Sequence, residues 1–190
     1  MIKKIIILGS GGHATSCHEL ISKLPKIKFL GFCSKESNVS KTNKIFSENE
    51  ILKNPQKFKN LINGIGHLKD NSIRKRLFFK FKKKGFKFPI IKSKNSIISN
   101  ESEIEEGTQI FNHVIVNSKV QIGRNCIINN KSLIEHDVKI GDHCHISTGV
   151  IINGSVEIGN NCFIGSGSVL SNNIKIKDNS FIKMGSLIKR

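Results

Sequence analysis

The stretch SLIEHDVKIGDHCHIST, residues Ser132 to Thr148, repeats with a period of six residues. Isoleucines stand at every sixth position, at Ile134, Ile140 and Ile146. A small or β-branched residue stands two positions before each isoleucine, at Ser132, Val138 and Cys144. The stretch also carries three histidines, two aspartates and one glutamate. It therefore contains candidate groups for catalysis or metal binding inside a regular repeat.

The repeat continues through the C-terminal half of the chain. Every sixth residue from Ile98 to Ile188 is aliphatic, which makes sixteen positions without a break in register. Every sixth residue from Ser96 to Ser186 is small or β-branched. This pattern predicts a parallel β-helix, in which three hexapeptides form one triangular coil and corners favour Gly and Asn. Sixteen hexapeptides correspond to about five coils.

The spacing of the cysteines in the repeat indicates a packing role rather than a catalytic or metal-binding one. Cys126, Cys144 and Cys162 are eighteen residues apart, so we expect them to stack one above the other and fill small inward positions. The five cysteines of the chain form no C-x-x-C pair, and no secretory signal precedes them, so we expect a cytoplasmic protein. The apolar run Ile5 to Leu8 is too short to span a membrane.

The N-terminal half has an α/β pattern. KKIIILGSGGHATSCHELISKL predicts a strand, a glycine turn and a helix, followed by strands in KIKFLGFC and LINGIG and a basic amphipathic helix in IRKRLFFKFKKKGFKF. Gly9, Gly11 and Gly12 leave backbone N–H groups exposed at a helix N-terminus, which is an anion-binding arrangement. The fold class is therefore α/β plus all-β, with a Rossmann-like parallel domain at 1–92 and a β-helix at 93–190.

The formal charge of +17 is compatible with anionic ligands. The basic residues are spread out, Phe is the only aromatic residue besides His, and no nucleic-acid recognition motif appears, so a nucleic-acid partner is not expected. Abundant Lys, Ile and Asn also match the composition of an AT-rich genome. The charge fits an enzyme whose ligands carry several phosphates.

Three motifs carry a family resemblance: GSGGHA, IEHDVKIGDHCHIS and NGSVEIGNNCFIGSGSVL. With the repeat, they make the chain resemble bacterial sugar acyltransferases of the sialic-acid O-acetyltransferase and UDP-4-amino-sugar N-acetyltransferase family. The resemblance implies a left-handed β-helix, acetyl-CoA as cosubstrate, a nucleotide-sugar or sialic-type sugar as acceptor, and a role in surface-glycan biosynthesis. It also implies a homotrimer with active sites between subunits.

The resemblance assigns roles residue by residue. His136 would be the general base and Asp137 the carboxylate that orients it. The coenzyme side would be formed by His145, Gly154 and Gly165. The sugar-nucleotide side would be formed by Gly9, Gly11, Gly12, His13, Arg74 and Asn129. The spacing independently supports one pair, because Gly154 stands eighteen residues after His136 and should lie one coil away on the same side.

The chemistry of acyl transfer suits these residues. An amine or hydroxyl must lose a proton to attack a thioester, and histidine titrates near neutral pH. We expect the amino group of a UDP-linked 4-amino sugar as acceptor, with a hydroxyl of a sialic-type sugar as the alternative. Relatives carry an Asp pair after the second strand, where this chain has Cys33, Ser34 and Lys35.

Two other functions remain open from the sequence. His143 and His145 flank inward-facing Cys144, so they could join a third ligand in a zinc-dependent hexapeptide enzyme. A non-catalytic binding or scaffold protein would keep the same fold. No bound metal is expected on the preferred hypothesis.

Overall fold

The computed structural model describes residues 2–34, 44–67 and 70–189. The chain divides into two compact units, Met1–Pro89 and Ile90–Arg190. No helix in the described ranges is long and apolar enough to cross a membrane.

The first unit is a four-stranded parallel sheet with strand order β3-β2-β1-β4. Its strands are β1 (Lys3–Leu8), β2 (Ile27–Cys33), β3 (Ile45–Phe46) and β4 (Asn60–Asn63). Its helices are α1 (Gly12–Ser22), α2 (Glu48–Lys53) and α3 (Ser72–Lys83). The predicted elements β1, α1, β2, β4 and α3 are confirmed. The sequence analysis missed β3 and α2, which are too short to show a clear periodicity.

Close packing around β1 explains its sequence. Ile5 to Leu8 are all buried, as expected for a central parallel strand covered on both faces. A Cβ added to Gly64, just after β4, would lie only 2.8 Å from the Cβ of Ala14 in α1. Gly64 therefore lets the helix approach the end of the sheet closely.

The second unit consists of two-residue parallel strands that form the three faces of a prism. The first face contains β5 (Ile91–Lys92), β8 (Gln109–Ile110), β11 (Ile127–Ile128), β14 (His145–Ile146), β17 (Phe163–Ile164) and β20 (Phe181–Ile182). The second face contains β6 (Ile97–Ile98), β9 (Ile115–Val116), β12 (Leu133–Ile134), β15 (Ile151–Ile152), β18 (Val169–Leu170) and β21 (Leu187–Ile188). The third face contains β7 (Glu103–Ile104), β10 (Gln121–Ile122), β13 (Lys139–Ile140), β16 (Glu157–Ile158) and β19 (Lys175–Ile176).

The register confirms the hexapeptide prediction. Each strand pairs with the strand eighteen residues away, as Ile122 does with Ile140. The aliphatic residues at the repeat positions from Ile110 to Leu170 form one buried core. The stacked cysteines contribute to this core: the backbone N–H of Cys144 points to Sγ of Cys126 at 3.4 Å, and that of Cys162 to Sγ of Cys144 at 3.4 Å. Their position is that of packing residues, as predicted.

From Gly107 to Gly185, each corner of the prism turns at the third residue after the inward aliphatic residue. This residue has a positive φ, for example 54° at Asn125 and 60° at Asp137. At Gly123, directly after an inward aliphatic residue, the chain must leave room for the backbone of the next coil. A Cβ added to Gly123 would lie 2.5 Å from Oδ1 of Asp142 in the next coil, so glycine is needed there for close approach.

Candidate active site

The predicted site residues of the β-helix fall on two separate sides of the prism. His136, Asp137 and Gly154 follow strands β12 and β15 and lie on the edge between the second and third faces, here called the catalytic edge. By contrast, His145 lies in β14 on the first face, and Asn129 and Gly165 follow β11 and β17 at the end of that face. The edge between the second and third faces lies opposite the first face of the prism. One chain therefore does not bring the two groups together.

His136 and Asp137 form a hydrogen-bonded pair at the catalytic edge. His136 Nδ1 lies 2.8 Å from Asp137 Oδ2, and the side chains are 55% and 51% exposed. The positive φ of Asp137 turns the backbone so that neighbouring side chains can meet. With Nδ1–H donating to the carboxylate, Nε2 carries the free lone pair that a general base needs.

Gly154 makes room for the His136 ring. A Cβ added to Gly154 would lie 2.7 Å from Cε1 and 2.8 Å from Nε2 of His136. The two coils are joined at this point, because the Ser155 N–H donates to the His136 carbonyl oxygen at 3.0 Å. The predicted proximity of His136 and Gly154 is therefore confirmed, and the imidazole lies across the backbone of the glycine.

Asn172 belongs to the same edge and was missed by the sequence analysis. Its Nδ2 would lie 3.3 Å from a Cβ on Gly154, on the edge that holds His136. The eighteen-residue spacing that relates His136 to Gly154 also relates Gly154 to Asn172, so the signal was present in the sequence. It went unused because asparagines are frequent throughout the corners.

His145 packs against aromatic rings on the first face. It is 7% exposed, and its ring meets Phe163 edge to face with a centroid distance of 5.2 Å. Phe163 in turn stacks on Phe181 with a centroid distance of 4.9 Å. These contacts fix the orientation of the His145 ring.

Asn129 and Gly165 lie in the corner at the end of the first face. The Asn129 side-chain oxygen accepts the Asn130 N–H at 2.8 Å. A Cβ added to Gly165 would overlap the backbone nitrogen of Met184 in the next coil, so this glycine is required for coil packing.

In the first unit, the predicted anion-binding turn precedes α1. Gly9 has a φ of 92°, and Gly11 is the N-cap residue, so no side chain caps the helix. A Cβ on Gly11 or Gly12 would have no heavy atom within 4 Å, which leaves this end of α1 open to an approaching group. His13, in the first turn of α1, places Nε2 3.7 Å from the buried thiol of Cys17.

Arg74 lies inside the first unit. It is 1% exposed, and its Nη1 donates to the carbonyl oxygens of Asn63 at 2.8 Å and Ile65 at 2.6 Å. The Asn63 side chain donates back to the Arg74 carbonyl oxygen at 2.8 Å. These bonds join α3 to the segment that follows β4, so the arginine predicted to face substrate binds the backbone of its own unit.

The segment after β2 is described only in part. Ser10 Oγ donates to Ser34 Oγ at 2.9 Å, which links the turn after β1 to the end of β2. Lys35, the third residue that replaces the Asp pair of relatives, lies outside the described residues.

A groove of about 580 Å³ runs along the third face and contains none of the predicted site residues. Charged side chains line it, among them Lys139, Glu157 and Lys175. The alternative zinc ligands are also separated: His143 Nδ1 lies 3.0 Å from Asn125 Nδ2 in a corner, while His145 lies on the first face. Within the described ranges, no group of three or more His, Cys, Asp or Glu side chains is arranged to hold a metal ion.

The chain thus combines a small parallel α/β unit with a hexapeptide β-helix that carries a histidine–aspartate pair on one edge. Two family models match the chain: the GMPPB C-terminal domain at residues 92–189 and the PglD N-terminal domain at residues 4–81. The first match covers just over half of the chain, which therefore belongs to the GMPPB C-terminal domain family. No curated protein matches the sequence at a significant level.

Several solved structures share the fold over almost the whole chain. A variant of perosamine N-acetyltransferase from Caulobacter crescentus, in complex with CoA and GDP-perosamine, is 21% identical with a TM-score of 0.91, covering 100% of this chain and 90% of that one. The acetyltransferase domain of PglB from Neisseria gonorrhoeae, in complex with acetyl coenzyme A, is 20% identical with a TM-score of 0.91, covering 100% and 92%. WeeI from Acinetobacter baumannii is 22% identical with a TM-score of 0.86, covering 99% and 92%.

These matches confirm the predicted fold class, a Rossmann-like parallel domain followed by a left-handed β-helix, and the resemblance to bacterial sugar acyltransferases. At these identities the likeness to the solved structures is one of fold.

Proposed function

We propose that this protein is an acetyl-CoA-dependent N-acetyltransferase that modifies the amino group of a nucleotide-linked 4-amino sugar for surface-glycan biosynthesis. One observation carries the proposal: His136, held by Asp137 at 2.8 Å, lies across the bare backbone of Gly154 with Nε2 on that side. A base with a fixed tautomer and open space beside its lone pair is what proton removal from an attacking amine requires.

The reaction needs no covalent enzyme intermediate. The amine nitrogen attacks the thioester carbonyl carbon, a C–N bond forms, and His136 Nε2 takes the proton from nitrogen. The tetrahedral intermediate then collapses, the C–S bond breaks, and the CoA sulfur leaves with the proton that histidine returns. Asp137 stabilises the imidazolium that exists between the two steps.

The acceptor is held by the first unit in this proposal. The diphosphate of a nucleotide-sugar carries the charge that suits the open N-terminus of α1 at Gly11 and Gly12. A UDP-linked sugar is our first candidate. Because the Caulobacter crescentus relative is described with GDP-perosamine, GDP-linked amino sugars belong in the same test.

We further propose that the active enzyme is a homotrimer. The outward residues of the second face form a continuous aliphatic stripe: Ile97, Ile115, Leu133, Ile151, Val169 and Leu187. Ile97 is 68% and Leu187 58% exposed in the single chain, which is unfavourable unless another surface covers them. The stripe borders the catalytic edge, so a neighbouring copy packed on it would lie next to His136.

A trimer also explains the separation of the site residues. His136 and His145 lie on opposite sides of one prism, so they can serve one substrate only across an interface between copies. In this arrangement the catalytic edge of one copy supplies the base, while His145, Gly165 and Asn129 of another line the coenzyme and sugar. We place the enzyme in the cytoplasm, where a reducing environment suits its five free cysteines.

The test is release of CoA thiol from acetyl-CoA with a panel of UDP- and GDP-linked 4-amino sugars and free sialic acids, with and without a chelator. We expect turnover with an amino sugar that the chelator does not change. His136→Ala should lower the rate at least about a hundredfold. The control is His113→Asn, which alters an exposed corner histidine whose positive φ asparagine also accepts; it should keep the wild-type rate.

Four results would contradict the proposal in different ways. Near-normal turnover of His136→Ala would remove histidine from the mechanism. Turnover with sialic acids alone would assign an O-acetyltransferase, since the same base serves a hydroxyl acceptor. Loss of turnover with chelator would support the zinc-dependent alternative, and no turnover with any acceptor would favour a non-catalytic protein.

A further inference from the structure

The His136 ring leans along the catalytic edge towards Asn172. The two residues lie two coils apart, and successive coils are separated by about 4.8 Å, so their backbones are roughly 10 Å apart. A single point, the Cβ position of Gly154, lies 2.8 Å from His136 Nε2 and 3.3 Å from Asn172 Nδ2. The two side-chain nitrogens are therefore within about 6 Å of each other. That separation is right for two groups that contact adjacent atoms of one ligand.

The gap between them exists because Gly154 has no side chain. The residues that occupy equivalent corner positions between the third and first faces are bonded from coil to coil. The Arg124 N–H donates to Asp142 Oδ1 at 2.8 Å, and the Asp142 N–H donates to Asn160 Oδ1 at 2.8 Å. Among the described residues 70–189, no group accepts the corresponding N–H of Gly154.

The catalytic edge thus combines one base with two hydrogen-bond donors. His136 Nε2 and Asn172 Nδ2 lie 2.8 Å and 3.3 Å from the position that a Cβ of Gly154 would occupy, so both border the space beside the Gly154 backbone. Asn172 is exposed, so a ligand can reach it from solvent. In the tetrahedral intermediate of acyl transfer, the amine nitrogen and the negatively charged oxygen are bonded to the same carbon atom. A base and a donor within about 6 Å of each other can serve both atoms at once.

We propose that Asn172 is a catalytic residue: its side-chain amide, together with the Gly154 N–H, binds the acetyl carbonyl oxygen and stabilises its negative charge as His136 takes the amine proton. This inference rests on the acetyltransferase function proposed above. No bond forms to Asn172. The hydrogen bond from Nδ2 strengthens as charge moves from the attacking nitrogen's lone pair onto oxygen, and weakens when the C–S bond breaks and the carbonyl is restored.

The kinetic test compares two asparagines on the same edge. Asn172→Ala should lower kcat about a hundredfold, since a donor to the developing oxyanion acts in the transition state, and should leave KM for the sugar within about twofold. Asn100→Ala is the matched control, because Asn100 is an exposed asparagine two coils before His136 where Asn172 is two coils after it. It should keep the wild-type kcat. Asn172→Asp should be at least as slow as Asn172→Ala, because a carboxylate repels the oxyanion.

A merely structural role for Asn172 predicts a different result. The melting temperature of Asn172→Ala would fall while kcat stayed within about threefold of wild type, and that outcome would overturn the inference while leaving the acetyltransferase intact. If wild-type protein turned over no acceptor of the panel, the proposed function would fail and this role with it, so the two failures are distinguishable.

A second readout does not depend on turnover. The ¹H–¹³C resonance of His136 Cε1, assigned by its absence in His136→Ala, should shift in Asn172→Asp and stay in place in Asn100→Asp, because only the first substitution puts a charge beside the ring. An unshifted resonance in Asn172→Asp would show that the two side chains do not face the same space.

Discussion

His136 depends on the residues one coil away as much as on its own chemistry. Asp137 holds Nδ1, and Gly154 supplies the space into which Cε1 and Nε2 extend. A corner histidine next to a coil with a larger side chain would have to swing outward, and its lone pair would point into solvent. The position of the His136 imidazole is thus a steric consequence of a missing Cβ.

We predict that Gly154→Ala lowers kcat at least about tenfold with little loss of stability. The new methyl group would lie within 2.8 Å of the imidazole, so the ring must turn away from the substrate. Gly154 does not have a positive φ, so alanine adds no backbone strain. Steady-state kinetics with thiol release measures the effect, and thermal unfolding checks the fold.

Ser118→Ala is the matched control for this change. Ser118 occupies the same corner position one coil before His136, whereas the His136 ring leans towards the coil that follows. It should keep the wild-type kcat. Equal kcat values for Gly154→Ala and the wild type would show that the added methyl group does not displace the His136 ring from its working position.

The coils are joined by ladders of polar side chains at the corners. Asp142 receives the Arg124 N–H at 2.8 Å and the Arg124 guanidinium at 2.8 Å. Burial acts to raise the pKa of Asp142, but the hydrogen bonds and charge of Arg124 outweigh it and hold the pKa below its usual value. Glycine at position Gly123 is the complement of this ladder, since any side chain there would meet the carboxylate.

We predict that Asp142→Asn destabilises the β-helix by about 0.5–1 kcal/mol at neutral pH, the usual size of a partly exposed ion pair. The amide still accepts the Arg124 N–H but loses the charge. Because the folded-state pKa of Asp142 is lowered, its contribution is present at neutral pH and is lost as pH falls below the unfolded value of about 4.

Urea unfolding from pH 7 to pH 3 checks this sign. The difference in unfolding free energy between wild type and Asp142→Asn should shrink as pH falls below about 4. Glu101→Gln is the control, because Glu101 is an exposed corner carboxylate without a salt-bridge partner among the described residues. A difference that stayed constant with pH would contradict a role for the carboxylate charge.

The prism formed by the second unit presents unlike faces. The outward residues of the third face are charged or polar, while those of the second face are all aliphatic. Apolar side chains in a regular row on the outside of a single prism favour contact with another copy. The assembly and the catalytic site are therefore expected to depend on each other.

We predict that Ile151→Glu converts the proposed trimer to a monomer and abolishes turnover. Ile151 stands in the middle of the stripe, and a carboxylate buried there without a partner would oppose association by at least about 2 kcal/mol per copy. Light scattering after size exclusion measures the mass, and thiol release measures the activity.

Lys139→Glu is the control, because Lys139 is an outward residue of the third face that changes charge without altering the stripe. It should remain a trimer. An Ile151→Glu protein that stays trimeric would place the interface on another face, and an active monomer would show that one chain holds a complete site.

The architecture could be read from the residues because it repeats. A period of six residues imposes the same inward and outward pattern on every coil, so periodicity alone predicts the core, the corners and the stacking of His136 under Gly154. The strands β1, β2 and β4 and the helices α1 and α3 were also predictable, since each is long enough to show its own period.

Other features depend on packing between residues that no period relates. Arg74 is buried against the carbonyl oxygens of Asn63 and Ile65, although a charged residue in a basic helix is expected to be exposed. β3 depends on its pairing with β2 rather than on its own two residues.

The site shows the same division. Spacing along the chain predicts which residues share an edge of the prism, because each coil has a constant length. It does not state which way a ring leans or where a missing Cβ leaves space, since these follow from contacts between side chains. His136 and His145, nine residues apart, look like one cluster in the sequence, yet a half-coil separates them and puts them on opposite sides of the prism. Folding the chain around a triangular core is what pulls them apart.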